Sequence, residues 1–207
     1  MTHRLAGAAG LWVLASTVVL GADFWETKPF TDWSDKELQQ LVSDSPWART
    51  ITVVLSAPGG GRSALPATLQ RLKLTVSWRS SLPMKQALVR NQVGLDQPIP
   101  AESQLLLERR DDFYLVSLSG LPLSYSRATG TLRTETFLRR DHLPPIPPSS
   151  TIIQPVKDTL MLVFAFPRTD PITVRDKDVE FVTKIEQIVI RKKFDVKRMV
   201  FHGELEL

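Results

Sequence analysis

The run LMLVFAF, Leu160–Phe166, contains no polar side chain; Asp158 lies just before it and Pro167 directly after. A continuous apolar run with such bounds predicts a strand buried on both faces, at the centre of a sheet. The strand pattern extends to both sides. Downstream, Pro167–Pro171 (PRTDP) is a turn segment, because Asp before Pro favours turn initiation. Val179–Ile185 and Ile188–Phe194 are strand-like. Glu186-Gln187 between them is poor turn chemistry, so a hairpin and one long bent strand both stay open. Met199, Phe201, Gly203, Leu205 and Leu207 alternate with Val200, His202, Glu204 and Glu206 and predict a last strand paired with its predecessor.

Upstream, the segment 143–150 (LPPIPPSS) predicts a polyproline-type spacer across the sheet edge. Thr131–Arg139 alternates as a strand, and Phe113–Ser119 is a strand closed by Gly120-Leu121-Pro122. Ala101–Arg109 is open between a helical turn and a strand. Leu69–Trp78 alternates as a half-buried strand, and Thr50–Ala57 is β-branched. Between them, Pro58–Ser63 (PGGGRS) lacks the spacing of a phosphate loop and reads as a surface loop. Ser80-Ser81-Leu82-Pro83 opens a helix that buries Met84, Ala87 and Leu88, turns Lys85, Gln86 and Arg90 to water, and stops at Gly94. The expected class is α+β and strand-rich, a mostly antiparallel sheet or sandwich with two or three short helices packed on it.

The N-terminal part has a different character. Phe24–Trp47 (FWETKPFTDWSDKELQQLVSDSPW) holds three of the five tryptophans. Pro29 forces an extended conformation before it, so Asp23–Trp33 reads as an aromatic arm rather than a helix. Ser34 and Glu37 have capping-box spacing, Trp33 and Leu38 staple spacing, and Ser45-Pro46 ends the helix near Ser43 or Asp44. Trp25, Phe30, Trp33 and Trp47 form either a ligand platform or a clamp on the sheet. Ahead of the arm, Arg4 is followed by the uncharged stretch Leu5–Leu20 and then by Gly21-Ala22. Residues 1–22 thus predict a signal peptide cleaved after Ala22, with 23–207 as a single exported domain, periplasmic or extracellular. The alternative is an uncleaved anchor over residues 5–22, since about 18 to 20 apolar residues just span a bilayer.

Chemistry is narrowly bounded. The 207 residues carry 26 Lys+Arg against 22 Asp+Glu, too mild an excess for a chain that lives on phosphate contacts, so nucleic acid is not expected as a partner. There is no cysteine, which excludes disulfides, thiolate catalysis, iron–sulfur clusters and cysteine-bound zinc. Beyond the leader, His142 and His202 are the only histidines, too few for a three-histidine zinc site; no cofactor is implied. Asp141-His142 are sequence neighbours and point apart on an extended chain, and no G-x-S-x-G elbow occurs, so no catalytic residue is assigned. Arg191, Lys193, Lys197 and Arg198 are the one charge concentration. They form either a basic patch for an anionic partner or a charged edge that blocks strand aggregation.

Four stretches resemble a group of exported acidobacterial proteins. They are W-x-x-K-P-F-x-x-W-S-x-K-E with D-S-P-W-A over Trp25–Ala48, S-W-R-S-S-L-P over Ser77–Pro83, F-P-R-T-D-P-I-T over Phe166–Thr173, and G-E-L-E-L over Gly203–Leu207. The resemblance covers most of the chain after the leader. It implies export and a single domain, and it carries over no catalytic residue because no activity is attached to the group. The expected function is a non-enzymatic binding or envelope-associated module whose partner is an envelope protein, a glycan or an anionic membrane surface. A hydrolase of a cell-wall or extracellular polymer and a membrane-tethered subunit are the alternatives.

Overall fold

The computed structural model describes residues 23–55, 70–95 and 97–207. The leader 1–22 and the glycine-rich loop 58–63 lie outside the described residues. The strands are β1 Asp44–Ser45, β2 Ala48–Leu55, β3 Gln70–Trp78, β4 Phe113–Pro122, β5 Phe137–Arg140, β6 Ser150–Val156, β7 Thr159–Pro167, β8 Asp178–Ile185, β9 Ile188–Asp195, β10 Val200–Phe201 and β11 Glu204–Leu205. The helices are α1 Phe24–Thr27, α2 Asp35–Ser43, α3 Leu82–Val93, α4 Ala101–Glu108 and α5 Leu132–Glu135. Among the described residues all strand pairs are antiparallel. They form a six-stranded sheet β1-β2-β3-β4-β7-β6, a three-stranded sheet β5-β8-β9 and the hairpin β10-β11. This is the expected strand-rich α+β sandwich.

Two sheets face each other because each turns one hydrocarbon side inward. Leu74, Val76, Trp78, Tyr114, Val116, Leu118, Leu162, Phe164 and Phe166 share one face of the large sheet and are buried. Phe181 of β8 lies 5.5 Å from Phe164 and 6.4 Å from Phe166, and Phe194 of β9 lies 5.9 Å from Trp78. Each such ring contributes roughly 2–3 kcal/mol of burial.

The apolar run is a strand but not one buried on both faces. In β7, Leu160, Leu162, Phe164 and Phe166 are buried, while Met161, Val163 and Ala165 are half-buried. β7 is next to the edge strand β6 of an antiparallel sheet, whose second face is only partly covered.

Local signals held where they were chemically specific. Ser34 and Glu37 form the full capping box, α2 ends at Ser43, and Gly94 takes φ 96° after α3. Glu186-Gln187 makes a two-residue hairpin turn between β8 and β9, with Glu186 at φ 53°. Ala101–Arg109 resolves as a helix, α4 ending one residue short of Arg109.

Other expectations are corrected. The arm contains two single turns of helix, α1 and the 3₁₀ turn Phe30–Asp32, separated by extended Lys28 and Pro29. Proline restricts only its predecessor and permits a turn to start after it. Thr131–Arg139 is not one strand: Thr134 N and Glu135 N both donate to Thr131 O, winding α5 before β5 begins. The C-terminal stretch is also broken. His202 (φ 49°) and Gly203 (φ 83°) make a tight turn that folds β11 back on β10, so neither pairs with β9. The proline connector is stitched to β5 through Ile146, which exchanges backbone hydrogen bonds of 2.8 and 2.9 Å with Leu138. No helix among the described residues is long and apolar enough to cross a membrane.

Two residues test this account. Gly120, at φ 91°, marks a register shift between β4 and β7, and a Cβ there would lie 2.4 Å from Lys73 O. Gly120→Ala is expected to cost about 2 kcal/mol or more, read as a lower urea midpoint at unchanged slope. Glu37 accepts hydrogen bonds from Lys28 Nζ (3.0 and 2.9 Å) and from Ser34 N and Oγ (2.7 Å each), and Lys28 above all lowers its pKa to about 2. A carboxylate with a depressed folded-state pKa stabilises fully above its ordinary value of 4.5 and loses that contribution as pH falls towards 2. Glu37→Gln should therefore flatten the fall in Tm over that acid window and leave the neutral-to-alkaline profile parallel to wild type.

Candidate functional site

The aromatic residues singled out from the sequence go mostly into the core. Trp25, Trp33 and Trp47 are buried. Trp25 meets Trp47 edge-on at 5.9 Å, Phe24 meets Trp33 at 5.6 Å, and Trp47 meets Phe201 at 6.3 Å. Their polar edges are used as well, with Trp33 Nε1 donating to Lys28 O (3.1 Å) and Trp47 Nε1 to Glu206 O (2.8 Å). A platform needs an open ring face, so the aromatic expectation narrows to Phe30, which is half-buried.

Phe30 forms one wall of a cleft of about 710 Å³ between α3, α4, the 3₁₀ turn of the arm and the C-terminal hairpin. All four stretches quoted above for their motifs converge on it. Phe30 comes from the first, Ser80 and Leu82 from the second, Arg168 from the third and Leu205–Leu207 from the fourth. Leu82, Ile99, Leu107 and Leu205 make further apolar wall, and Lys85, Arg109, Arg110 and Arg168 face Glu108, Asp111 and Glu206.

Each buried charge in the cleft has a structural reason. Lys85, expected at the surface, has a side chain only 10% exposed, and Asp111 only 9%. Their charged atoms are 2.8 Å apart, while the Lys85 hydrogen bond goes to Arg109 O at 2.7 Å. Asp111 Oδ2 accepts no hydrogen bond among the described residues, so the pair is held by charge rather than by alignment. Glu206 accepts from Leu82 N (2.9 Å), the first amide of α3. Arg168 lies 4.2 Å above the Tyr114 ring and donates to the main-chain oxygen of Leu207. Burial lowers the pKa of Arg168 and Arg110 adds to that, while the charges of Tyr114, Asp111 and Glu206 act in the opposite direction. Arg168 Nε is buried with no partner among the described residues. Tyr114 OH accepts from Ile172 N (2.8 Å), and burial pushes its phenol up.

The basic cluster is divided rather than pooled. Arg191 and Lys193 are exposed on the outer side of β9, the edge strand of the small sheet. Lys197 and Arg198 follow in a 3₁₀ turn, Val196–Arg198. Arg49, Lys192, Lys193 and Arg198 line a second cavity of about 480 Å³ whose wall also carries Asp44, Asp178 and Asp195. The position on a strand edge fits the edge-guarding alternative. His202 stacks on Phe201 with ring centroids 3.9 Å apart, and His142 occupies a turn at φ 61°. Among the described residues no cluster of His, Asp and Glu side chains could hold a metal ion.

Sequence reading missed Lys85, Asp111, Tyr114 and Arg168. Arg168 was legible as a charge between two prolines directly after a core strand. Lys85 and Asp111 left no local signal, because their partnership joins α3 to the segment before β4. No protein-family model, no curated protein and no solved structure matches the chain.

Breaking a buried ion pair strands the remaining charge. Asp111→Leu should cost about 3 kcal/mol. The double change Lys85→Met with Asp111→Leu should recover most of it, measured by chemical denaturation of the four-member cycle.

Proposed function

We propose that this chain is an exported, non-enzymatic binding module that holds an anionic ligand with an apolar body in the cleft beside Phe30. One observation carries the reading: Arg168 and Arg110, two like charges, line one cavity together with the apolar side chains of Phe30, Leu82, Ile99, Leu107 and Leu205. An anion between them relieves their repulsion and meets guanidinium forks suited to carboxylate or phosphate. The cavity volume, about 710 Å³, is within the range of small-molecule sites. Arg110 has no ion pair among the described residues and remains available.

A hydrolase finds less support. General acid–base chemistry needs a carboxylate free to exchange a proton with substrate. Asp111 is committed to Lys85 and Glu206 to the first turn of α3, while Glu108 stands exposed at the rim. Export, and the choice between a free and a tethered module, rest on the apolar leader.

Titration of the full chain with a medium-chain fatty carboxylate and with the alcohol of equal length tests the proposal by calorimetry. The carboxylate should bind at least about tenfold more tightly, and Arg110→Gln should weaken it about fivefold. Equal affinity for acid and alcohol, or an Arg110→Gln protein that binds as wild type, overturns the reading.

A further inference from the structure

The side of the six-stranded sheet that faces away from the β5-β8-β9 layer carries hydroxyls at its centre. Thr50 and Thr75 pair across strands at 2.9 Å, Ser77 and Ser117 at 2.8 Å, and Ser119 follows on β4. Above this row, α2 and α3 leave a groove of about 240 Å³ walled by Val42, Met84 and Leu88.

Arg79 enters this groove for a reason of strand geometry. Its amide donates to Leu115 O (2.7 Å), continuing β3 one residue beyond Trp78. Alternation then turns Trp78 into the core and puts Arg79 on the side of Ser77. The guanidinium reaches back over β4 to Met161, where Nη1 approaches Sδ at 3.4 Å. A thioether sulfur is a weak acceptor, and no carboxylate among the described residues pairs with Arg79. Of the residues outside that description only Asp96 is acidic, and it follows the C-terminal end of α3, whereas Arg79 precedes the N-terminal end. Burial also draws the Arg79 pKa below its ordinary value. A cation partly removed from water, without counter-charge, is a cost that a bound anion offsets.

We propose that this groove is a second binding site, for a small oxyanion: a carboxylate or phosphate group held by the Arg79 guanidinium over the Ser77 and Ser117 hydroxyls. In the Ser77–Ser117 pair one hydroxyl donates to the other, so the second keeps its hydrogen for the ligand. The guanidinium offers a planar fork of donors to a carboxylate or phosphate edge. Val42, Met84 and Leu88 exclude water from one side, which strengthens the charge contact and leaves room for a short hydrocarbon body. Ser80, the neighbour of Arg79, lines the larger cleft, so consecutive residues serve two cavities on different sides of the chain.

The test is the melting temperature of the full chain in acetate, in inorganic phosphate and in chloride at matched ionic strength. Tenfold excess over the dissociation constant should raise Tm by about 3–6 °C relative to chloride. Arg79→Met should abolish the rise while melting in chloride at or above the wild-type temperature, because an unpaired charge has been removed. Arg110→Gln, which alters only the larger cleft, should leave the rise intact, so this site stands or falls apart from the cleft proposal. A response to acetate alone assigns a carboxylate ligand, and one to phosphate alone a phosphate. No rise in either anion, or a rise that survives Arg79→Met, overturns the proposal. If Arg79→Met does not fold, Arg79→Lys decides. It keeps the charge without the fork and should bind at least about fivefold more weakly, and unchanged affinity refutes the assignment.

Discussion

Trp47 is the residue through which the parts of this structure meet. Its ring is fully buried between Trp25 of the arm and Phe201 of the C-terminal hairpin. Its carbonyl accepts from Trp78 N at 2.8 Å and its indole N–H donates to Glu206 O, 159 positions away. One residue thus joins the N-terminal arm, the start of the large sheet and the end of the chain. Glu206 then reaches from that contact to the first amide of α3, which sets the helix bearing Lys85 against the hairpin. The cleft wall is a consequence of this arrangement. A chain without disulfides needs such contacts, because only packing and hydrogen bonding hold distant segments together.

The large sheet divides its labour by face. The inner side is aromatic and aliphatic and meets the small sheet through Phe164, Phe166, Phe181, Trp78 and Phe194. The other side is short and polar at the centre, with helices laid beside it rather than sealed onto it. Small hydroxyl side chains pair across strands and leave space above them. Where a long cation such as Arg79 projects into that space, it meets hydroxyls and hydrocarbon but, among the described residues, no carboxylate. The same sequence alternation that builds the core therefore builds a groove on its reverse side.

Charge placement follows a different rule from hydrophobic placement. An apolar residue needs only the right face of its element, and its neighbours are interchangeable. A buried cation needs a particular partner, and that partner can come from any part of the chain. Lys85 and Asp111 meet between α3 and the approach to β4, and Arg140 of β5 meets Asp170 of the proline-bounded turn. Arg168 lies on Tyr114 from the adjacent strand.

The elements that could be read from the sequence are those whose signals are local. Alternation in Leu72–Trp78, the Ser34–Glu37 box and the Gly94 stop each act within a turn or a strand, so backbone and immediate neighbours decide them. The strand-rich α+β class follows from the sum of such signals. Local reading failed where one pattern fits two structures: Thr131–Arg139 alternates yet winds a turn of helix, and Met199–Leu207 alternates yet doubles back at His202-Gly203. Only the tertiary structure decided that three tryptophans are core, that Lys85 is buried, and that Phe30, Arg110 and Arg168 share a cavity. Those outcomes depend on contacts between residues far apart in sequence, and a one-dimensional pattern carries no information about which distant partner will fill a given space or neutralise a given charge.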